Sequence, residues 1–474
     1  MVSVKKLNKI AAPTSPGALK LVMFGAGELG KEIFVEAQRL GMECIAVDRY
    51  ERAPAAQIAH KSYTFNMMDG NAMRSVVERE KPDVIIPEIE AIDLDTLIEL
   101  EKEGYRVIPN ARATWITMHR ERIRELIAKE AKVETCGYTY ARTDDPEEFK
   151  DGVEKIGYPC ISKAIMSSSG HGSYDIKGEG DIEKARQWAI KDARGEGSRV
   201  IIEEFIDFDT EITELALRHL DEDGKIVTTF PRPIGHYQIE GDYHSSWQSP
   251  KVSEYLPWGA ESGREDEGLA ETAERKIYEA AGKITGALGG VGIFGCELFV
   301  KEINGEVKVY GNECSPRPHD TGMVTYISHI QGFNEGGLHV RAITGLPIPA
   351  KIREVDGREF RVFDPIAPAS SHVIKSPSEG WDPQYRGLWN ALSTQGVNIY
   401  MFGKPMVYLT RGRVGIVEER MGLALALGEN ALDAKKKAEV AAHNIEMRTR
   451  QVHEWKSQDQ AHDGRKKHLF KHPG

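Results

Sequence analysis

Two glutamates, Glu297 and Glu313, mark the segment with the clearest chemical pattern. Glu297 interrupts one apolar, strand-like run (residues 291–300), and Glu313 follows another (residues 307–310). The Asn304-Gly305 pair between the runs is typical of a tight hairpin turn, which would bring both carboxylates to one end of the hairpin. Two such carboxylates suit magnesium, which takes few protein oxygens when nucleotide phosphates supply the others. An ion pair and a solvent-facing hairpin end are the alternatives.

A lysine and a glycine-serine loop form a second candidate for binding phosphate. Lys163 ends an otherwise apolar strand (residues 158–163), where a buried ammonium group would need an anionic partner. The loop that follows, residues 166–173, is rich in Ser and Gly, and its backbone N–H groups could fold over phosphates. It lacks the Lys-Ser/Thr ending of a P-loop. A flexible hairpin loop is the alternative.

Two further features, a pair of arginines and a β-rich run, are candidates for contacts with a nucleotide. Arg120 and Arg124 would share one face of a helix predicted over residues 113–132. The alternative is a solvated stripe of charge. Residues 199–206 pass from a strand into an extended linker and could offer backbone groups to a purine edge.

The N-terminal region carries a complete G-x-G-x-x-G fingerprint, from Gly25 to Gly30, between a strand (residues 19–24) and a helix (residues 31–40). With Asp48 ending the next strand, this pattern is typical of nicotinamide dinucleotide binding. A tight strand-to-helix turn without a ligand is the alternative. Glu88 follows another strand (residues 84–87), at the edge where such sheets bind ligands. It could contact a substrate amine or lie at the N-terminus of a helix.

The bulk properties limit the class of protein. A chain of 474 residues, 40% hydrophobic and 28% charged, is expected to form two to four domains. The net charge of −11 argues against general nucleic-acid binding. No apolar run is long enough for a membrane span, and residues 1–6 are not followed by a signal-peptide core. Five scattered cysteines indicate reduced thiols and a cytoplasmic location.

The pattern of predicted elements divides the chain into five parts. We expect an N-terminal arm (residues 1–18), a doubly wound α/β domain (19–112) with a strand at 105–108, and a central domain (113–349). A strand-rich C-terminal domain (350–456) follows, irregular around residues 371–386 and closed by a helix over residues 430–455. Residues 457–474 form a basic tail.

Several unusual segments occur in a fixed order. They are residues 25–32, 45–50, 87–92, 166–172 and 315–325, the last reading SPRPHDTGMVT. In these the chain resembles the formate-dependent phosphoribosylglycinamide formyltransferases, purine-pathway members of the ATP-grasp superfamily, over residues 20–430. It is more distantly similar to the ATP-dependent carboxylases of aminoimidazole ribonucleotide.

The resemblance implies a three-domain α/β ATP-grasp fold, with an N-terminal doubly wound parallel-sheet domain and a small strand-rich C-terminal domain. ATP would phosphorylate formate, and the amine of glycinamide ribonucleotide would attack the formyl phosphate. Glu297 and Glu313 would bind Mg²⁺, Arg317 would be catalytic, and the protein would be a homodimer that acts on small molecules and binds neither nucleic acid nor membrane. The implied ATP contacts are Arg120, Lys163, Ser168, Ser169, Gly170, His171, Gly172, Ser173, Glu203, Glu204, Phe205, Ile206 and Glu211. The implied substrate contacts are Glu28, Leu29, Glu88, Asp320, Lys404 and Arg420.

Two departures from the family pattern concern charge. His171 stands where relatives have lysine, so a fixed charge becomes a titrating one. Glu419 stands where the family has the first of two arginines for the substrate phosphate, and Arg411 and Arg413 lie nearby as possible substitutes.

Four hypotheses therefore stand. The first is a ligase that formylates glycinamide ribonucleotide. The second is the same chemistry with another acid or amine. The third is a nicotinamide-dependent dehydrogenase, and the fourth is a non-catalytic nucleotide-binding protein.

Overall fold

The computed structural model describes residues 5–89, 91–166, 172–192, 198–239, 241–254, 267–411 and 416–450. Its first unit is a parallel sheet of β1 (Lys20–Phe24), β2 (Glu43–Asp48), β3 (Lys61–Thr64) and β4 (Val84–Pro87), in the order β3-β2-β1-β4. Alternate side chains of β1 enter two different apolar clusters, one on each face of the sheet. Burial on both faces explains the continuous apolar runs of these strands.

Three helices follow β1, β3 and β4 in this first unit: α1 (Glu28–Arg39), α2 (Gly70–Glu80) and α3 (Leu94–Lys102). The strand predicted at residues 105–108 is reduced to a single parallel bridge between Ile85 and Val107. Pairing ends there because the next ladder bond would need the N–H group of residue 87 on β4, which is a proline and has none.

The helix predicted over residues 113–132 is wrong as a single element. The chain forms α4 (Ala111–Thr117), α5 (Arg120–Glu125) and a π-helical turn (Leu126–Glu130). His119 is extended, with φ −132° and ψ 112°. The N–H group of Arg120 donates to the carbonyl of Ile165, 3.1 Å away, so a long-range contact replaces a helical hydrogen bond.

A small antiparallel sheet follows. It contains β5 (Tyr138–Arg142), β6 (Cys160–Ala164), β7 (Ser173–Ile176) and β8 (Arg199–Glu204), in the order β5-β8-β6-β7. Helices α6 (Pro146–Ile156) and α7 (Ile182–Asp192) accompany it, with a 3₁₀ turn at Glu179–Asp181. Phe149 of α6 is fully buried in the apolar cluster under this sheet.

A large sheet, eleven-stranded in the described part of the chain, forms the rest of the scaffold. Its first strands are β9 (Thr210–Leu220), β10 (Ile226–Pro231), β11 (Ile234–Ile239), β12 (Asp242–Gln248), β13 (Gly292–Ile303), β14 (Glu306–Ser315), β15 (Lys351–Val355), β16 (Arg358–Phe363) and β17 (Ala369–Ser376). The long helix α8 (Glu267–Leu288) packs on one face of β9 and β14. Shorter elements are 3₁₀ turns at Val252–Glu254 and Asp320–Val324 and helices α9 (Thr325–Ser328) and α10 (Glu335–Thr344).

The C-terminal part adds β18 (Gly380–Arg386), α11 (Leu388–Leu392), β19 (Val397–Met401), β20 (Met406–Val407), β21 (Thr410–Arg411), β22 (Ile416–Val417), β23 (Glu419–Leu427), α12 (Ala431–His443) and β24 (Glu446–Arg450). Strands β19 and β23 complete the large sheet, β18, β20 and β24 form a separate one, and β21 pairs with β22. The irregularity predicted around residues 371–386 is wrong, because β17 and β18 occupy most of it.

The predicted helix over residues 430–455 is also too long. It ends at His443, and β24 follows because Met447 is buried where this strand pairs with β18. The domain limits at residues 18, 112, 349 and 456 stay a prediction. No helix in the ranges described above is long and apolar enough to cross a bilayer.

Candidate active site

The two glutamates of the hairpin are direct register partners. Glu297 on β13 lies opposite Glu313 on β14, and Asn304 and Gly305 at the turn have φ values of 54° and 84°. These positive φ angles belong to the turn type that Asn-Gly favours, which fixes the register as far as the pair Leu298 and Gly311. A β-bulge then shifts the register by one residue and places Glu313 opposite Glu297. The predicted pairing of the carboxylates is therefore confirmed.

Two basic side chains contact this pair of carboxylates. Arg120 forms an ion pair with Glu313, and His319 Nε2 lies 2.9 Å from Glu297 Oε1. Burial alone would raise the pKa of the Glu297 carboxyl, but the hydrogen bond from His319 and nearby positive charges lower it to about 2. Glu297 is therefore ionised at neutral pH.

A buried ion triad connects the small sheet to the large one. Glu203 on β8 accepts from Arg124 at 2.6 Å and from Lys163 on β6 at 2.7 Å. Arg124 also donates to the carbonyl of Gly311 on β14, 2.9 Å away. Burial would raise the pKa of Glu203, but the charges of Arg124 and Lys163 lower it to about 2. Arg120 and Arg124 thus share a helix face, as predicted, and both reach across to the hairpin.

Glu211, on the strand next to β13, adds a third carboxylate near Glu297 and Glu313. On β9, Glu211 is the register partner of Phe299, two residues from Glu297. Because side chains alternate along a strand, Glu211 and Glu297 point to the same side of the sheet. The Glu211 carboxylate lies 3.2 Å from His236 Nε2. Burial would lower the pKa of His236, but the hydrogen bond to Glu211 raises it.

A second group of charges lies where β23, the 3₁₀ turn at Asp320–Val324 and α1 meet. Lys404 forms ion pairs with Glu28, 3.3 Å away, and with Glu419. Arg420 forms one with Asp320 and lies 3.4 Å from Asp242. We name these residues the Lys404–Arg420 cluster. Burial opposes the positive charge of Arg420, but Asp320 and the neighbouring carboxylates raise its pKa.

The glycine-rich turn lies beside this cluster. Gly25 has a φ of 104°, and a Cβ atom there would lie 2.7 Å from Glu88 Oε2, so both conformation and space require glycine. Leu29 is buried in an apolar cluster with Phe402. Both oxygens of Asp48 accept backbone hydrogen bonds, from Ala26 at 2.7 Å and from Arg49 at 2.7 Å. Asp48 therefore has a local role in the turn, which favours the tight-turn alternative over the nicotinamide interpretation.

Some predicted contacts lie near the triad, and others lie outside the described ranges. Ser173 is the register partner of Lys163. Glu204 accepts from the N–H group of Gly137 at 3.0 Å, and the N–H group of Phe205 donates to Pro159. Gly172 and Ile206 lie in the loops that flank these strands. The predicted residues Ser168, Ser169, Gly170 and His171, together with Arg413, lie outside the described ranges.

The segment from Arg317 to Asp320 connects the two groups of charges. His319 contacts Glu297, whereas the next residue, Asp320, contacts Arg420. Burial would raise the pKa of Asp320, but Arg420 first, and His319 and Arg317 after it, lower it to about 2. Arg317 therefore lies within the electrostatic reach of Asp320.

Sequence reasoning assigned no role to two residues that contact the site, His319 and Asp242, and it did not predict the partner of Arg124. His319 and Arg124 bind the acidic groups directly, and Asp242 binds Arg420. His319 lies within the most specific segment of the sequence, and the helical spacing had already paired Arg124 with Arg120. For Asp242 the sequence offered no signal, because only the folded sheet brings it to Arg420.

The arrangement can hold a phosphorylated nucleotide beside a second anionic substrate. One end presents paired carboxylates with Lys163 and Arg120, and the other presents Lys404 and Arg420. Within the residues that the structure describes, no group of three or more His, Cys, Asp or Glu side chains forms a metal site by itself.

Family models match most of the chain. The ATP-grasp domain model matches residues 126–333, and the ribonucleotide synthetase preATP-grasp domain model matches residues 19–118. A third model, described as PurT, C-terminal, matches residues 369–445. The mixed α/β ATP-grasp fold with a parallel-sheet N-terminal domain is therefore confirmed.

Curated relatives and solved structures agree with these matches. The chain is 54% identical to the formate-dependent phosphoribosylglycinamide formyltransferase of Thermococcus kodakarensis, over 98% of this chain and 100% of the relative. It is 48% identical to the enzyme of that name from Methanocella arvoryzae, over 92% and 94% of the two chains. Glycinamide-RNase-transformylase T from Mycobacterium tuberculosis is 25% identical, with a TM-score of 0.67 over 90% of this chain and 99% of that one. The chain belongs to the formate-dependent phosphoribosylglycinamide formyltransferase family of ATP-grasp enzymes.

Proposed function

We propose that this protein uses ATP to activate formate and transfers the formyl group to the amine of glycinamide ribonucleotide. One observation carries the proposal: His319 contacts Glu297 of the carboxylate pair, and the next residue, Asp320, is paired with Arg420 in the Lys404–Arg420 cluster. An acyl phosphate made at one group of charges would therefore form next to a binding site for a second anion. Short transfer distances suit a reactive intermediate that water would destroy.

We propose that Glu297 and Glu313 hold Mg²⁺ together with the phosphates of ATP. Their register pairing supplies two carboxylates on one face, and the ionised state of Glu297 suits a hard cation. Two protein ligands fit magnesium, which keeps its other positions for phosphate and water. When bound, the ion neutralises charge that develops on the transferring phosphoryl group.

The side chains of the chain itself would bind and orient ATP. Lys163 is held by Glu203, and Arg120 is held by Glu313, so both cations are fixed in position before the nucleotide binds. Fixed positive groups stabilise the charge of the transferring phosphoryl group without reorganisation. Ser173, opposite Lys163, is in a position to donate to a phosphate oxygen.

The proposed reaction has two steps. A formate oxygen attacks the γ-phosphorus, and the bond to ADP breaks, which gives formyl phosphate and ADP. The substrate amine then attacks the formyl carbon, loses a proton, and releases phosphate as the amide forms. We assign Arg317 to this second step, because it lies within electrostatic reach of Asp320 and two residues before His319, which contacts the carboxylate pair.

The test is the substrate requirement for ADP release by the full-length protein. We expect ADP release in the presence of formate and glycinamide ribonucleotide together, with formylglycinamide ribonucleotide detected by mass spectrometry. ADP release that needs neither formate nor this amine would refute the proposal.

A second candidate keeps the chemistry but changes the acid or the amine. Its support is Glu419, whose carboxylate occupies one side of Lys404 and reduces the positive charge available to a substrate phosphate. A screen of small acids and amines, in which ADP is released only with another pair, would select this candidate.

We further propose a cytoplasmic homodimer. Five free cysteines without a disulfide support a reducing compartment. Light scattering of the purified protein gives the oligomeric state, and a monomeric mass would reject the dimer.

A further inference from the structure

Two buried thiols lie directly behind the carboxylate pair. Cys296 and Cys314 are register partners on β13 and β14, and their Sγ atoms are 3.3 Å apart. Each is adjacent in sequence to one of the site glutamates. Because side chains alternate along a strand, the thiols face the core under α8 while the carboxylates face the site. The exposed fractions of Cys296 and Cys314 are 0% and 4%.

The register pairing brings the backbones of Cys296 and Cys314 within the range of a disulfide. Directly opposed residues in antiparallel strands have Cα atoms about 4.5–5.5 Å apart, within the range of about 4.4–6.8 Å that disulfides span. The sulfur atoms are in contact but not bonded. A bond of about 2.05 Å requires them to approach by little more than ~1 Å, which small rotations of two side chains supply.

We propose that Cys296 and Cys314 are a modification site at which a peroxide forms an intramolecular disulfide. A small neutral oxidant suits this site, because both thiols are buried and bulky disulfide reagents cannot reach them. Hydrogen peroxide oxidises one thiol to a sulfenic acid and releases a water molecule. The second thiol attacks that sulfur, an S–S bond forms, and a second water molecule leaves.

The bond would tie together the two strands that carry Glu297 and Glu313. It closes a loop of residues 296–314 and so restricts the unfolded chain. We expect the oxidised protein to unfold at a temperature roughly 5 °C higher than the reduced protein. Reduction with dithiothreitol under unfolding conditions, followed by refolding, should remove the shift.

The other cysteines provide internal controls. Cys44 and Cys160 are also buried, but they lie in the apolar clusters of other sheets, and Cys136 belongs to neither cluster. A general effect of peroxide would oxidise them as well. A paired site predicts that oxidation is confined to Cys296 and Cys314.

The experiment is peptide mapping of the full-length protein after treatment with hydrogen peroxide. Remaining thiols are alkylated in denaturant with N-ethylmaleimide before digestion. We expect one cross-linked peptide containing Cys296 and Cys314, and full alkylation of the other three cysteines. Alkylation of both residues, or their separate oxidation to sulfinic acids, would overturn the proposal.

Two variants make the stability readout specific. Cys314→Ala should lose the rise in unfolding temperature, whereas the matched change Cys160→Ala should keep it. An equal rise in Cys314→Ala would also overturn the proposal. Peptide mapping of the unsubstituted protein tests the disulfide even where a variant folds poorly, and its result does not depend on the enzymatic activity.

Discussion

Replacement of the central glutamate of the ion triad, Glu203→Gln, should be strongly destabilising. Glu203 and Arg124 expose only 5% and 3% of their side chains, so the substitution leaves the buried Arg124 and the partly buried Lys163 without their anion. The pKa of Glu203 is lowered from 4.5 to about 2, which corresponds to about 3 kcal/mol of stability at neutral pH. Breaking a buried ion pair typically costs about 3–5 kcal/mol, in agreement with this value.

The pH dependence has a definite sign. A carboxyl with a lowered pKa in the folded state stabilises the protein above its unfolded pKa and loses that effect as pH falls towards the folded pKa. For Glu203 the window runs from pH 4.5 down to about 2. The difference in the free energy of unfolding between the natural protein and Glu203→Gln should therefore be smaller at pH 4 than at pH 7 by roughly 1 kcal/mol.

The assay is urea denaturation of the ligand-free protein at both pH values. Glu121→Gln is the matched control, because Glu121 pairs with Arg199 at the surface, where the exposed fractions are 29% and 48%. We expect the free energy of unfolding of this control to fall by less than about 1 kcal/mol. Equal losses in the two variants, or a gap that does not narrow at pH 4, would refute the reasoning.

Three further predictions concern ligands. Glu313→Gln should lower magnesium-dependent ADP release by roughly 100-fold or more without loss of folding. Glu306→Gln, at the exposed end of the same hairpin, should leave ADP release unchanged. Unchanged ADP release in Glu313→Gln would contradict the metal assignment. Glu419→Gln removes one carboxylate from Lys404, so the KM for the phosphorylated amine, measured by steady-state kinetics, should fall roughly threefold. An unchanged KM would indicate that Lys404 does not bind the substrate phosphate. His171→Lys should tighten ATP binding, measured by calorimetry, above neutral pH, where histidine has lost its charge; an affinity that does not respond would indicate that the side chain points away from the phosphates.

The features that the sequence predicted well depend on local patterns. The Asn304-Gly305 pair defines the turn and so brings Glu297 and Glu313 to one end of the hairpin. Their direct pairing was not predictable, because counting from the turn would place Glu297 opposite Asn312, and a one-residue register shift moves Glu313 into that position. Helical spacing likewise placed Arg120 and Arg124 on one face. The strand–turn–helix around Gly25 is also local, because a positive φ angle there needs glycine.

The remaining features depend on contacts between distant parts of the chain. The break at His119 arises because Arg120 bonds to Ile165, and β24 forms where β18 offers an edge. Neither partner is visible in the local sequence. The glycine fingerprint also suggested a nicotinamide site, because the sequence does not reveal that Asp48 accepts a hydrogen bond from Ala26 in the turn itself.

The central claim is that one hairpin supplies both protein ligands to the metal of the bound nucleotide. A crystal structure of the full-length protein with a non-hydrolysable ATP analogue and magnesium tests it most directly. We predict an ion bridging the phosphates, with a carboxylate oxygen of Glu297 and one of Glu313 each about 2.1 Å away. An ion bound to the phosphates with both side chains turned elsewhere would contradict the claim.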